Sequence, residues 1–132
     1  MLCVSCHRAE HGLLGANVTE LRAERGDRGV VTVESTGIEI RIVLTGEIDM
    51  NAEPELDVAI GQVLSEPLAP IVVDVTDLRF LASCGVEFIA RLYNAVHPVG
   101  HTVTVLNPTG PVLRILQIVG FGDRISIVTD RG

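Results

Sequence analysis

Residues 71–92 read IVVDVTDLRFLASCGVEFIARL, and within this stretch the apolar pattern changes from that of a strand to that of a helix. Residues 71–75 form a nearly continuous apolar run, which is typical of a strand covered on both faces. From Gly85 onward the apolar side chains recur with the period of about 3.6 residues expected of an amphipathic helix. The stretch therefore predicts a buried strand, a short junction at residues 82–84, and a helix that packs on a sheet.

The sequence on both sides of this stretch continues the alternation of strands and helices. The other predicted elements are, in chain order, strands at 30–34 and 38–45, a helix at about 51–64, a strand at 102–106, a helix at 111–119 and a strand at 125–128. In the second strand, Ile38, Ile40, Ile42 and Leu44 alternate with other residues, which predicts one buried face. This order predicts an α/β fold, with a mixed sheet of about five strands that begins with a hairpin and is covered by about three helices.

Composition limits the classes of function that fit the chain. The 132 residues suit one globular domain with a hydrophobic core of its own. Ten Lys and Arg residues against seventeen Asp and Glu residues give a net charge of −7, which argues against direct binding to nucleic acid or to an anionic membrane. Aromatic residues make up only 3% of the chain, too few for base stacking. A protein partner or a small ligand fits this composition better.

The chain is expected to be cytoplasmic. It has no apolar run of about 18 residues that could span a membrane, and its first thirty residues lack the pattern of a secretory signal. Its three cysteines are an odd number, which does not suggest a disulfide framework.

Residues 1–29 mix charged residues and glycines without a sustained period, which predicts a flexible N-terminal extension before a domain at residues 30–132. Cys3, Cys6 and His7 match the C-x-x-C-H pattern of haem attachment, and with His11 they offer four zinc ligands. Haem attachment needs export, and the four ligands span only nine residues, too few for a usual zinc finger. We therefore expect no metal and no cofactor.

Residues with reactive or ionisable side chains follow two of the predicted strands. Asp49 follows the second strand, and Ser83 and Cys84 lie where the third strand passes into its helix. Reactive groups of open α/β sheets gather at the carboxyl ends of strands. Three roles are open for Ser83 at this position: a helix N-cap, a modification site or a nucleophile. His97 and His101 lie at the far end of the helix, which disfavours a Ser-His or Cys-His pair.

Three motifs together resemble the STAS domain of anti-sigma factor antagonists: GEID at 46–49, VVDVTDLRFLASCGV at 72–86 and LRILQIVGF at 113–121. The resemblance covers about residues 30–128. It implies a non-enzymatic, cytoplasmic regulator of transcription that binds an anti-sigma factor with serine kinase activity and so releases a sigma factor. It also implies that the kinase phosphorylates Ser83 to break the complex, that a cognate phosphatase resets the switch, and that the partner-binding residues are Asp49, Ser83, Cys84 and Gly85.

Two positions depart from the family motif, in which an Asp precedes the serine and a Ser or Thr follows it. Here these residues are Ala82 and Cys84. One alternative is therefore a STAS scaffold, or an accessory subunit of a transporter, that is no longer phosphorylated. Another is a thiol-based sensor or enzyme, because a cysteine in the first turn of a helix can have a lowered pKa.

Overall fold

The computed structural model describes residues 6–10, 17–22, 29–121 and 124–129. The strands are β1 (Cys6–Glu10), β2 (Asn17–Arg22), β3 (Val30–Ser35), β4 (Ile40–Ile48), β5 (Ile71–Asp74), β6 (Leu78–Leu81), β7 (Val103–Leu106) and β8 (Ser126–Val128). The helices are α1 (Glu53–Leu64), α2 (Ser83–Val96) and α3 (Gly110–Ile118), with short 3-10 helices at Met50–Ala52 and His97–Val99.

The described strands form one mixed sheet. Its order is β1-β2-β3-β4-β5-β7-β8, and β6 pairs separately with β4. Strands β1 to β4 are antiparallel, whereas β5, β6, β7 and β8 each pair in parallel with a neighbour. The predicted α/β class, the hairpin β3–β4 and the three helices are confirmed, but β1 and β2 precede that hairpin in the sheet. The predicted count of about five strands was too low, since the described residues contain eight.

Two of the additional strands lie in the segment that was expected to be a flexible extension. β2 pairs with β3 from Asn17 opposite Ser35 to Arg22 opposite Val30, and Leu21 is fully buried in the core. The pairing depends on contacts with β3, and the segment has no local period that would reveal it. The described residues of this segment therefore add two strands to the sheet that the sequence did not predict. Cys3 and His11 lie outside the described residues, and the division of the chain at residue 30 stays a prediction.

Strand β4 changes partner along its length. Its first half pairs with β5, from Ile40 opposite Ile71 to Val43 opposite Asp74, and its second half pairs with β6. The register shifts between Gly46 and Glu47, where Gly46 has a φ of 79°, a conformation that glycine adopts without strain. The junction after β5 therefore contains a strand, β6, that leads directly into α2.

A polar network supports the loop between β5 and β6. One carboxylate oxygen of Asp74 accepts hydrogen bonds from the Thr76 main-chain N–H at 3.0 Å and from its hydroxyl at 2.6 Å. The Asn107 side-chain amide donates to the same hydroxyl oxygen at 3.1 Å. Asn107 is buried and has a φ of 59°, which Asn tolerates better than most residues. The network ties the ends of β5 and β7 together.

Aliphatic side chains of the sheet and helices form the core. On α2 the buried apolar residues include Phe88, Ile89, Leu92 and Val96. Of the predicted face of β4, Ile40, Ile42 and Leu44 are buried, but Ile38 precedes the strand and is 78% exposed. The prediction for Ile38 was wrong because the strand begins two residues later. No helix in the described parts of the chain is long and apolar enough to cross a membrane.

Two isoleucine substitutions test this difference in burial. Ile42→Ala should lower the free energy of unfolding by about 2–4 kcal/mol, because it leaves a cavity in the core. Ile38→Ala removes the same atoms from an exposed site and should change the free energy by less than about 0.5 kcal/mol. Urea unfolding followed by circular dichroism measures both. Equal losses would contradict the position of Ile38 outside the strand.

Candidate phosphorylation and partner-binding site

The end of β4 lies against the start of α2. The main-chain N–H of Ala82 donates to the Ile48 carbonyl at 2.8 Å, and the Cys84 thiol donates to the Asp49 carbonyl at 3.3 Å. Both contacts join residues that are more than thirty positions apart in the sequence. The structure thus brings Asp49 and the Ser83–Cys84 pair together, as the ends of neighbouring strands were expected to do.

Ser83 is the first residue of α2 and is exposed. The N-cap is Ala82, which has extended φ and ψ of −80° and 176° and makes no side-chain cap hydrogen bond. Its carbonyl accepts from the N–H groups of Gly85 at 2.9 Å and Val86 at 3.2 Å. The prediction that Ser83 itself is the N-cap was therefore wrong by one residue. Ser83 still lies at the positive end of the helix dipole, where an added anion is favoured.

Asp49 has a structural role in addition to its place beside α2. Its carboxylate accepts a hydrogen bond from the Asn51 main-chain N–H at 2.9 Å and so caps the 3-10 helix Met50–Ala52. Its main-chain carbonyl, rather than its carboxylate, accepts from Cys84. This half-buried residue therefore connects the end of β4 with both the 3-10 helix and α2.

Gly85 allows α2 to approach the sheet closely. A Cβ atom at this position would lie 3.0 Å from Cγ of Leu81, closer still to its Cδ1, and 3.3 Å from Cγ2 of Ile48. Leu81 and Ile48 are both buried and have little room to move. The absence of a side chain at Gly85 is thus what lets the first turn of α2 pack on β4 and β6.

A family model described as "Mlab, STAS domain" matches residues 31–129. This chain belongs to the STAS domain family. No curated protein sequence matches the chain.

The fold of this STAS domain is similar to three solved structures. The unphosphorylated anti-sigma factor antagonist SpoIIAA gives a TM-score of 0.66 at 22% identity, over 76% of this chain and 89% of that chain. An anti-sigma factor antagonist from Mycobacterium paratuberculosis gives 0.66 at 24% identity, over 82% of this chain and 90% of that chain. The phosphorylated form of the Bacillus cell fate determinant SpoIIAA gives a TM-score of 0.61 at 22% identity, over 76% of this chain and 92% of that chain.

In this STAS domain Cys84 is a buried thiol with a 6% exposed side chain. Burial raises its pKa above the ordinary value, and the nearby carboxylates of Glu53 and Asp49 raise it further. Hydrogen bonds from main-chain N–H groups at the helix start act in the opposite direction without reversing the shift. This contradicts the lowered pKa that a thiol-based sensor or enzyme would need.

Two exposed apolar residues, one next to Asp49 and one in β6 just before α2, were not predicted from the sequence. Met50, which follows Asp49, is 59% exposed, and Phe80, two residues before Ala82, is 45% exposed. Apolar residue type alone predicts burial, so no pattern in the sequence distinguishes them. We call Asp49, Met50, Phe80 and Ser83 the Ser83 surface. Cys84 and Gly85, the other two residues predicted to bind a partner, are buried.

The described residues contain no group of three or more His, Cys, Asp and Glu side chains that is arranged to hold a metal ion. Cys6 and His7, which were weighed as metal ligands, lie in β1.

Two glycine substitutions test the packing of the helix start. Gly85→Ala should lower the free energy of unfolding by about 1–3 kcal/mol, because the new methyl group must displace Leu81 or Ile48. Gly61→Ala is the matched control, since Gly61 is exposed in α1 with no atom within 4 Å of an added Cβ. It should raise the free energy by about 0.5–1 kcal/mol through helix propensity. Chemical denaturation measures both changes, and stabilisation by Gly85→Ala would contradict the packing.

Alkylation tests the state of the Cys84 thiol. Because the folded domain favours the protonated thiol, iodoacetamide should react slowly with Cys84 at neutral pH, and the rate should increase only in alkaline solution. Mass spectrometry of the peptide that contains Cys84 measures the rate separately from those of Cys3 and Cys6. The urea-denatured chain is the control and should react faster at every pH. A half-maximal rate near neutral pH in the folded protein would contradict the raised pKa.

Proposed function

We propose that this STAS domain is a non-enzymatic, cytoplasmic anti-sigma factor antagonist. In this proposal it binds an anti-sigma factor with serine kinase activity, which frees a sigma factor for transcription. Phosphorylation of Ser83 by that partner ends the complex, and a cognate phosphatase restores it. The observation that carries the proposal is the exposed position of Ser83 at the start of α2, beside the end of β4. The similar solved structures described as anti-sigma factor antagonists support it.

The local structure fits a phosphate on Ser83. The hydroxyl-bearing residue is exposed, so a kinase has access to it without local unfolding. A phosphate at the first residue of a helix lies near the positive end of the helix dipole. The folded state therefore tolerates the modification, and its effect falls on whatever binds to the Ser83 surface.

The composition of the Ser83 surface indicates the kind of contact that a partner makes. Met50 and Phe80 supply exposed apolar area, and contacts of this type commonly supply the main binding energy of an interface. A phosphate adds about −1.5 to −2 charges at neutral pH, and desolvating it in such a contact is unfavourable. Since the chain already carries a net charge of −7, repulsion from an acidic partner would increase as well. Cys84 and Gly85 contribute indirectly, by holding the helix start in place.

The positions of the histidines argue against a hydrolase. His97 and His101 follow the C-terminal end of α2, a helix of 14 residues that is about 21 Å long. That distance separates both imidazoles from Ser83 and Cys84. Neither histidine is in a position to act as a general base for these residues.

A second candidate function is a STAS scaffold, or an accessory subunit of a transporter, that is not phosphorylated. The observation that favours it is Ala82, which stands where the family motif has an Asp. In the structure Ala82 supplies only main-chain hydrogen bonds at the helix start. If the missing carboxylate is needed by the kinase, Ser83 remains an unmodified surface residue, and the same apolar contact serves for permanent binding.

Capture of the partner, followed by incubation with Mg-ATP, distinguishes the two functions. The tagged full chain is expected to capture an anti-sigma factor with a kinase fold, and mass spectrometry should then find phosphate on Ser83. Ser83→Ala should keep the partner and abolish phosphorylation. Ser83→Asp should weaken binding at least about tenfold, which corresponds to about 1.4 kcal/mol.

Ser65→Ala is the matched control, because Ser65 is also exposed but follows α1, away from the Ser83 surface. It should affect neither binding nor phosphorylation. Stable binding of the kinase with no phosphate on Ser83 would favour the scaffold. Capture of transporter subunits in place of an anti-sigma factor would overturn the proposed antagonist function.

A further inference from the structure

A cavity lies at the opposite end of α2 from Ser83. Its volume is about 670 Å³, within the range of cavities that bind small molecules. It is formed by the C-terminal part of α2, the start of β7 and the segment that leads into β8. The described residues that line it include Tyr93, His97, His101, Val103, Arg124 and Ile125.

The polar residues of this cavity are suited to an anion. Arg124 supplies a guanidinium group, and His97 and His101 supply imidazole N–H donors. Three hydroxyl-bearing residues complete the polar lining. None of the described lining residues carries a carboxylate, although acidic residues outnumber basic ones by seven in the whole chain. Among the described residues, Arg124 has no salt bridge. An oxyanion would give this guanidinium a bidentate partner.

The lining also offers flat rings and apolar side chains. The rings of Tyr93 and His97 are stacked, with centroids 4.7 Å apart and planes inclined by 19°. The buried residues Val103 and Ile125 also line the cavity. An aromatic pair beside aliphatic side chains offers a surface on which a planar ring can stack. The cavity therefore combines donors for an oxyanion with contacts for a ring.

The C-terminal end of α2 is nearby, and a helix C-terminus usually disfavours anions. Here its last carbonyl groups accept main-chain hydrogen bonds. The Val96 carbonyl accepts from His101 N–H at 3.0 Å, and the His97 carbonyl accepts from Gly100 N–H at 3.0 Å. Gly100 makes this turn possible with a φ of 89°. The partial negative charge of these carbonyl oxygens is thus partly compensated.

Main-chain contacts hold the Arg124 side of the cavity. The N–H groups of Arg124 and Ile125 both donate to the carbonyl of the buried Phe121, at 2.8 and 3.2 Å. Beyond them β8 pairs in parallel with β7, and its Val128 carbonyl accepts from Asn107 N–H at 2.7 Å. The backbone at Arg124 is therefore fixed by a hydrogen bond to the buried Phe121 on one side and by the pairing of β8 with β7 on the other.

We propose that this cavity binds a small organic anion, in which a planar ring contacts Tyr93 and His97 and a carboxylate or phosphate group contacts Arg124. The site is separated from Ser83 by the length of α2, about 21 Å for its 14 residues. It does not depend on phosphorylation or on the identity of a protein partner.

Titration of the full chain with three probes tests the site: phenyl phosphate, benzoate and inorganic phosphate. Two-dimensional NMR of the ¹⁵N-labelled protein should show saturable shifts of the amides that line the cavity, among them those of Tyr93, His97 and Arg124. The dissociation constants should lie in the millimolar range or below. Phenyl phosphate should bind more tightly than inorganic phosphate because of its ring. The affinities of phenyl phosphate and benzoate, compared with each other, show whether the site prefers a phosphate or a carboxylate group.

Arg124→Gln should weaken binding of phenyl phosphate at least about tenfold, because it removes a charge-assisted hydrogen bond. Arg114→Gln removes an exposed arginine on α3, outside the cavity, and should change binding less than about twofold. Ser83→Ala should leave binding unchanged. Absence of shifts with all three probes at about 10 mM, or equal affinity in Arg124→Gln and the wild type, would overturn the proposal.

Discussion

The hydrogen bond from Ala82 N–H to the Ile48 carbonyl, at 2.8 Å, connects the start of α2 to the end of β4. It continues the β4–β6 pairing, in which Ile48 lies opposite Leu81. The shift of register at Gly46 lets a single strand pair first with β5 and then with β6. This change of partner brings the end of β4, with Asp49, beside the start of α2. The candidate site therefore depends on backbone pairing more than on any side-chain contact within it.

The packing beneath the site strengthens the same constraint. Gly85 is buried at a point where a side chain would overlap Leu81. Cys84 is also buried, and its thiol donates a hydrogen bond to the Asp49 carbonyl. Desolvation of that thiol also explains why its pKa is raised. Substituting Cys for the Ser or Thr of the family motif thus leaves a residue that packs and donates a weak hydrogen bond. Of the adjacent Ser83–Cys84 pair, only Ser83 faces solvent.

Features with a local period could be predicted from the sequence, and features that depend on distant pairing could not. Strand β5 and helix α2 follow from the apolar spacing of residues 71–92, and the approach of Asp49 to Ser83 follows from the common edge of parallel strands. Strands β1 and β2 form by pairing with β3, which no local pattern reveals. Ser83 was predicted as the N-cap because Ser is a preferred residue there, yet the backbone of Ala82 takes that position. The exposure of Phe80 depends on which residues cover β6, and its residue type does not encode this.

The lack of a side chain at Gly85 has a further consequence for how a modification at Ser83 would be detected. The first turn of α2 is packed directly on Leu81 and Ile48, so the helix has no room to retract toward the sheet. An added group on Ser83 has to project outward, and the backbone that carries it stays in place. Under the proposed function, the two states of the domain would then have the same shape and differ in the charge presented at one point. Discrimination between them would belong to the binding partner, and the domain itself would need no second conformation.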